Sequence, residues 1–433
     1  MSKEIIYNAH ILTMNASLDI IPNGSILIED GKIKCIAPYK QEDAEANYTD
    51  AKGMIVMPGF INSHTHIPMT MLRGYADDLP LQKWLTEYIF PAEAKYVTPE
   101  NVRVATRLGM LEMIKSGTTC FNDMYFFEDV IGEEVKRAGM RVVLGEAILD
   151  FPTPSFKTVD DGLQITNELI QKWESDPTVH VAVAPHSLYT CSKETLKRTK
   201  EIADKHGALL HIHLSETRKE VENLIAQTNM KPVNYLNNIG LLDENLVAAH
   251  SVWLSDEEVE LMAAQKAAIS HCPKSNLKLA SGIANSQKYV SAGLTVSIGT
   301  DGTASNNNLD MVEEARMASL LSKVENFNPE AMNARQTLKC ATINGAKALK
   351  LDTVTGSLET GKDADLIMIN VKNTNMTPVY DEYSAIIYAM NSHNICSSMV
   401  HGQWIMKDRN VLNIDEEEVL EQISLMAKEI KNN

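Results

Sequence analysis

Seven of the twelve histidines fall in a few short segments: His64 and His66 in Asn62-Ser63-His64-Thr65-His66, His186 after Pro185, His211 and His213 in His211-Ile212-His213-Leu214-Ser215-Glu216, and His250 and His271 after apolar runs. In an extended strand alternate side chains share a face, so His64 and His66 can hold one cation between them. A His-x-His pair by itself arises often by chance. Here a third imidazole at His213 and a carboxylate at Asp301 complete three nitrogens and one oxygen. That donor set suits Zn²⁺, with Fe²⁺ and Mn²⁺ as alternatives. The competing arrangement, a ring of histidines bonded to one another and to water, would leave buried donors unpaired. A divalent ion held this way lowers the pKa of a water from about 15.7 to near 7 and so supplies hydroxide at neutral pH. Glu216, three residues past His213, is placed to shuttle a proton over the ion, although a helix-capping glutamate would look the same. His250 is placed to orient or polarise the nucleophile, or is an ordinary neighbour of the ligands.

These residues need a scaffold that brings them together. Eight apolar runs read as strands: 59–62, 118–122, 141–145, 179–184, 208–213, 246–249, 267–270 and 295–298. Helical stretches such as 101–115, 195–205 and 257–264 lie between them. Eight strand–helix units predict an α/β fold, a distorted (β/α)8 TIM barrel, whose functional groups gather at the C-terminal ends of the strands. No Gly-x-Gly-x-x-Gly follows the first strand, which argues against a dinucleotide-binding open sheet. The fourth strand contains no lysine that could bridge two ions, so a single metal is expected. The connection Pro68–Glu93 is long for a strand-to-helix loop and is expected to form a lid, with Trp84 and Leu85 against the substrate.

Both ends of the chain read as β-structure. Asp30-Gly31 between apolar alternations is a hairpin signal, and 398–406 resembles a second hairpin. Pairing the two ends satisfies strand edges that each would leave open. The expected division is a composite β-sandwich from 1–56 and 362–413, a metal-dependent barrel over 57–361, and a C-terminal helix in 414–433.

Lys and Arg total 40 against 57 Asp and Glu, a formal charge of −17. Such a chain is a poor general partner for nucleic acid or an anionic membrane surface. No apolar run approaches the roughly 20 residues that span a bilayer. The opening residues lack a signal-peptide pattern, and the six cysteines are scattered without Cys-x-x-Cys, so a cytoplasmic enzyme with reduced thiols is expected. The apolar-rich helical segments would suit a homo-oligomer.

The segment Pro58-Gly59-Phe60-Ile61-Asn62-Ser63-His64-Thr65-His66 resembles the opening motif of the amidohydrolase superfamily, and 211–216, 250–254 and Thr300-Asp301-Gly302 resemble its later motifs. Within it, Met71-Leu72-Arg73-Gly74, Trp84-Leu85, Phe90-Pro91-Ala92-Glu93 and Ser275-Asn276-Leu277-Lys278-Leu279 look most like the branch of 5′-methylthioadenosine/S-adenosylhomocysteine deaminases and chlorohydrolase-like enzymes. The resemblance implies metal ligands at His64, His66, His213 and Asp301, and a proton donor to the purine ring at Glu216. It also implies a base at Asp301 that later passes its proton to ammonia, and a histidine beside the nucleophile at His250. Glu93 would bind ribose hydroxyls and His186 would be a second substrate contact. The implied substrate is a small adenine nucleoside, with guanine, pterin or triazine hydrolysis as the alternative and a metal-containing binding or scaffold protein as a more distant one. Members often carry an arginine shortly after the third strand, where this chain has Gly145-Glu146-Ala147. A carboxylate there cannot clamp an amino-acid carboxylate, so a neutral 5′ group, as in 5′-methylthioadenosine, is expected to be preferred.

Overall fold

The structure is a computed structural model that describes residues 3–38 and 46–432. Eight parallel strands form the expected barrel: β1 (Phe60–Thr65), β2 (Thr118–Asp123), β3 (Arg141–Leu144), β4 (Val179–Pro185), β5 (Leu209–Leu214), β6 (Leu246–His250), β7 (Ala268–His271) and β8 (Thr295–Ile298). Neighbours pair in chain order, for example Leu210 with Leu246 and Ile269 with Val296. After Leu144 the third strand breaks at Gly145-Glu146 and resumes as Ala147–Ile148, which also pairs with β4.

Several strands run further at their C-terminal ends than the apolar runs indicated. β1 extends through His64 to Thr65, β6 ends on His250 and β7 on His271. The polar residues that interrupt the apolar pattern are thus still in the sheet, where backbone pairing holds them. The seam between β1 and the residues after β8 is closed by short bonds. Asp301 N–H donates to His64 O (2.9 Å), Thr300 N–H to Asn62 Oδ1 (2.9 Å) and Asn62 Nδ2 to Thr300 Oγ1 (2.7 Å). This approach requires Gly299, because a Cβ there would sit 2.8 Å from both the N and the O of His64.

The outer helices begin where their capping residues stand. Thr98 opens Pro99–Lys115, Ser192 opens Lys193–His206, and Ser255 forms a capping box with Glu258 ahead of Asp256–Ala264. The stretch 68–93 is a helical excursion rather than an irregular lid loop. A 3₁₀ turn (Ile67–Leu72) is followed by helix at Leu81–Lys83, a π-helical turn at Trp84–Ile89 and helix at Phe90–Tyr96. The wide turn places Trp84 and Ile89 inward, as π-turns often do beside functional sites.

The two ends of the chain join in one nine-stranded mixed sheet, which realises the expected pairing. The link is antiparallel pairing of Ile55–Pro58 with Leu366–Ile369. Asp30 and Gly31 both take positive φ (51° and 81°), the turn that an Asp-Gly hairpin favours. Alternate residues, including Ile6, Ile26, Ile28, Leu366, Met368 and Met399, enclose a separate core. The fully buried Arg141, at the start of β3, fastens barrel to sheet: it donates to Asp365 Oδ2 (2.8 Å), Asp363 Oδ2 (2.7 Å) and Pro177 O (2.7 Å). The C-terminal helix spans Glu416–Asn432. Among the described residues no helix is long and apolar enough to cross a membrane.

Candidate metal centre and active-site cavity

At the C-terminal mouth of the barrel, His64, His66, His213 and Asp301 converge. His66 Nε2 lies 3.2 Å from Asp301 Oδ1 and 3.3 Å from His213 Nε2, and His64 Nε2 lies 3.3 Å from Asp301 Oδ1. A tetrahedral ion with ligand bonds of about 2.1 Å separates its ligand atoms by about 3.4 Å, so these spacings fit one ion.

The hydrogen bonds around the rings support the same reading. His66 Nδ1 donates to Met124 O (2.5 Å) and His213 Nδ1 donates to His186 O (2.8 Å). A carbonyl can only accept, so both protons sit on Nδ1 and both Nε2 lone pairs face the centre. His64 Nδ1 is 3.0 Å from His211 Nε2, while the buried His64 Nε2 has no hydrogen-bond partner. Lone pairs facing a carboxylate repel unless a cation lies between them. Burial holds His64 down to about 4. Burial also opposes charge on His66, but the adjoining Asp301 outweighs it and brings that ring up to about 9, a demand for positive charge that a divalent cation meets in place of the proton. Burial disfavours the Asp301 carboxylate as well, yet His64 and His66 hold it well below the usual carboxylate range. Three imidazole nitrogens and a carboxylate oxygen suit a divalent metal.

His250 stands against this set. One ring nitrogen of His250 joins ligand atoms of His64, His213 and Asp301 in a group all within 4.8 Å of one another. Its Nδ1 is 2.9 Å from Asn276 Oδ1, and its Nε2 is 4.0 Å from Glu216 Oε2. His250 (φ 66°), Asp301 (φ 61°) and Ser215 (φ 50°) all occupy the left-handed region, a strain that persists at sites where a side chain must be aimed.

Above the centre lies a small cavity of about 70 Å³. Glu93, His186, Glu216, His250, Asp301 and Trp84 all line it, so every residue expected to meet substrate does face the same space. Burial raises the Glu216 carboxyl, which accepts from Ser281 Oγ (3.1 Å). Burial brings Glu93 up to about 7 against an opposing bond from Tyr125 Oη (2.8 Å). His186 Nδ1 is engaged by Thr190 Oγ1 at 3.0 Å.

Glu146 does not face this cavity. Its carboxylate accepts from Ser155 and from the N–H of Glu128 (3.1 Å), at the start of helix Glu128–Ala138, where negative charge is favoured. Its neighbours Ala147 and Leu149 line the cavity instead. Glu146, expected to be unable to clamp an amino-acid carboxylate, lies outside the cavity altogether, because the third strand breaks there and turns its side chain away.

The sequence did not reveal how the site residues are supported. Ser275 and Ser305 hydroxyls donate to Asp301 Oδ2 at 2.5 and 2.9 Å, and Asn122 Nδ2 lies 3.0 Å from His211 Nδ1. Ser275 and Asn276 lie in the segment 275–279 that resembles the deaminase branch, and that resemblance is the signal pointing to them. Ser305, Asn122 and Tyr125 carry none.

The amidohydrolase family model matches residues 55–405, and the chain belongs to that family. It is a hydrolase of the deaminating kind that acts on C–N bonds. It is 45% identical, over the full length of both chains, to a 5-methylthioadenosine/S-adenosylhomocysteine deaminase of Thermodesulfovibrio yellowstonii. It is 42% identical to a 5'-deoxyadenosine deaminase of Methanosarcina acetivorans, with 99% of each chain covered. A crystal structure of an adenosine deaminase from Xanthomonas campestris with bound zinc superposes with a TM-score of 0.98 at 34% identity, covering 100% of this chain and 99% of the other.

Proposed function

We propose that this enzyme hydrolytically deaminates an adenine nucleoside, with 5′-methylthioadenosine preferred and S-adenosylhomocysteine and adenosine as further substrates, releasing ammonia and the inosine analogue. The observation that carries the reading is the convergence of His64, His66, His213 and Asp301 beneath a largely apolar cavity that also presents Glu216, His250 and Glu93. The names of the similar deaminases, and the zinc in the similar adenosine deaminase structure, support the substrate class and the choice of Zn²⁺.

His64, His66, His213 and Asp301 would hold one ion, which when bound supplies the nucleophile from water and stabilises the oxygen as the ring carbon becomes tetrahedral. Glu216, whose carboxyl burial shifts toward the protonated form, donates to the purine ring nitrogen beside the carbon under attack, so the ring electrons displaced by the new C–O bond have somewhere to go. Asp301 takes one proton from the attacking water and passes it to the departing amine; as the C–N bond breaks and ammonia leaves, the proton on the new oxygen returns to Glu216 and the carbonyl forms. His250, fixed by Asn276, steers the nucleophile. Glu93 accepts from ribose hydroxyls and His186 makes a second contact, while Trp84 closes the apolar wall. Ala147 and Leu149 offer no charge to a 5′ substituent, which favours a neutral one. We place the hydrolase unit at 57–361, the composite sheet unit at 1–56 and 362–413, and the C-terminal helix in 414–433. All six cysteines are free, in keeping with a cytoplasmic setting.

The test is ammonia release by the zinc-loaded protein from 5′-methylthioadenosine, S-adenosylhomocysteine, adenosine and guanine, with metal analysis of the same preparation. Turnover should be fastest with 5′-methylthioadenosine. A metal-loaded protein inert toward every adenine nucleoside would overturn the reading.

A further inference from the structure

Glu93 sits on the helix Phe90–Tyr96, just after the π-helical turn, and is 5% exposed. Its carboxylate faces the cavity on the side where the helical excursion contributes Leu81, Leu85, Ile89 and Phe90 to the wall. Among the described residues its hydrogen-bond partner is the hydroxyl of Tyr125, which donates to Oε1 at 2.8 Å. Tyr125 belongs to the barrel, two residues past the end of β2, and is held there from both sides of its peptide. Its N–H points at Glu128 Oε1 (2.8 Å) and Gly145 O (3.2 Å), and its carbonyl accepts from Ala147 N–H (2.8 Å). Glu128 is itself fully buried and anchored through its N–H to Glu146 Oε2 (3.1 Å). The phenol is thus a rigid donor reaching from the barrel to a carboxylate carried on a separate helical excursion.

We infer that Tyr125 is a positioning residue that sets specificity for the ribosyl group: by clamping Oε1 of Glu93 it aims Oε2 at the vicinal hydroxyls of the sugar. This rests on the reading of Glu93 as the ribose contact. A buried carboxylate with one oxygen pinned has a single free edge, and a vicinal diol matches it with two donors. Without the phenol, the carboxylate has no partner in an apolar wall, and its orientation is no longer fixed. The Tyr125 hydroxyl is spent on Glu93 rather than on a group assigned to the hydrolytic step, so its loss should act on binding of the sugar and leave the chemical step alone.

The experiment compares wild type and Tyr125→Phe on two substrates, 5′-methylthioadenosine and 2′,3′-dideoxyadenosine, which lacks the diol. Tyr125→Phe should raise KM for 5′-methylthioadenosine about tenfold, as expected for a hydrogen bond to a charged group, with kcat within about twofold. KM for the dideoxy substrate should change less than about twofold. In a Glu93→Gln background Tyr125→Phe should add nothing, since the interaction it supports is already gone. Tyr125→Met, which also lacks the hydroxyl but fills an apolar site, must give the same split, and zinc content and melting temperature show that each variant is folded. An equal KM rise on both substrates, or none on either, overturns the inference. A wild type inert on both would instead overturn the deaminase reading beneath it.

Discussion

Replacing Glu216 by Gln isolates the proton-donor role. The side chain is 5% exposed, accepts from Ser281 Oγ at 3.1 Å and lies 4.0 Å from His250 Nε2. Gln has the same size and can still accept from Ser281, but it has no proton to give. The backbone at this position is held independently of the side chain, because Glu220 accepts from the N–H groups of Ser215 (3.1 Å) and Glu216 (3.0 Å). The substitution should therefore leave geometry, zinc content and melting temperature unchanged while removing general acid catalysis. That contribution is about 10²–10⁴-fold, or about 2.7–5.4 kcal/mol of transition-state stabilisation. It acts in the transition state, so kcat and kcat/KM should fall together with little change in KM. The assay is the ultraviolet change as adenine becomes hypoxanthine, read alongside metal analysis and thermal melting. A folded, zinc-loaded Glu216→Gln protein that loses less than about tenfold in kcat would show that another group supplies the proton.

Three further outcomes follow from the same structure. Arg141→Met should destabilise the fold by about 3–5 kcal/mol, because the buried Asp365 carboxylate loses its guanidinium partner and Asp363 keeps only Lys32 and His401; urea unfolding reads this, and kcat per folded molecule at low temperature should stay at the wild-type value. Burial pushes Asp363 up, but His401, Lys32 and Arg141 overcome it and hold the group well below its ordinary value. The folded value then lies below the unfolded one of about 3.9, so this stabilisation is complete well above that pH and is lost as the pH falls through it. Asp363→Asn should flatten the acid limb of stability against pH, and an unchanged limb would assign it to other carboxylates. Removing the metal with a chelator should abolish turnover and lower the melting temperature, both restored by Zn²⁺, since the facing lone pairs of His66, His213 and Asp301 are relieved only by a cation. An apo protein that melts with the holo protein would count against the centre as drawn.

The residues that converge at the barrel mouth were legible in the sequence because the relevant signals are local. Period-two spacing puts His64 and His66 on one strand face, the donor types name the class of ion, and eight apolar runs separated by helical stretches specify the barrel. Three features were not legible. The strands run on through His64, His250 and His271, because backbone pairing with a neighbouring strand does not require an apolar side chain. Glu146 turns out of the cavity and Ala147 into it, because the third strand breaks at that point, and one residue of slip exchanges the faces. The excursion at 68–93 winds into helix and places Glu93 against Tyr125.

What the sequence determined by itself was which side chains could act and on what kind of ion. What only the tertiary structure decided was how those side chains meet: which imidazole nitrogen faces the centre, which hydroxyls hold Asp301, and which phenol holds Glu93. Hydrogen-bond partners 30 to 240 positions apart are set by closure of the barrel, where Gly299 lets the last strand approach the first, and that closure leaves no mark in the local pattern around either residue.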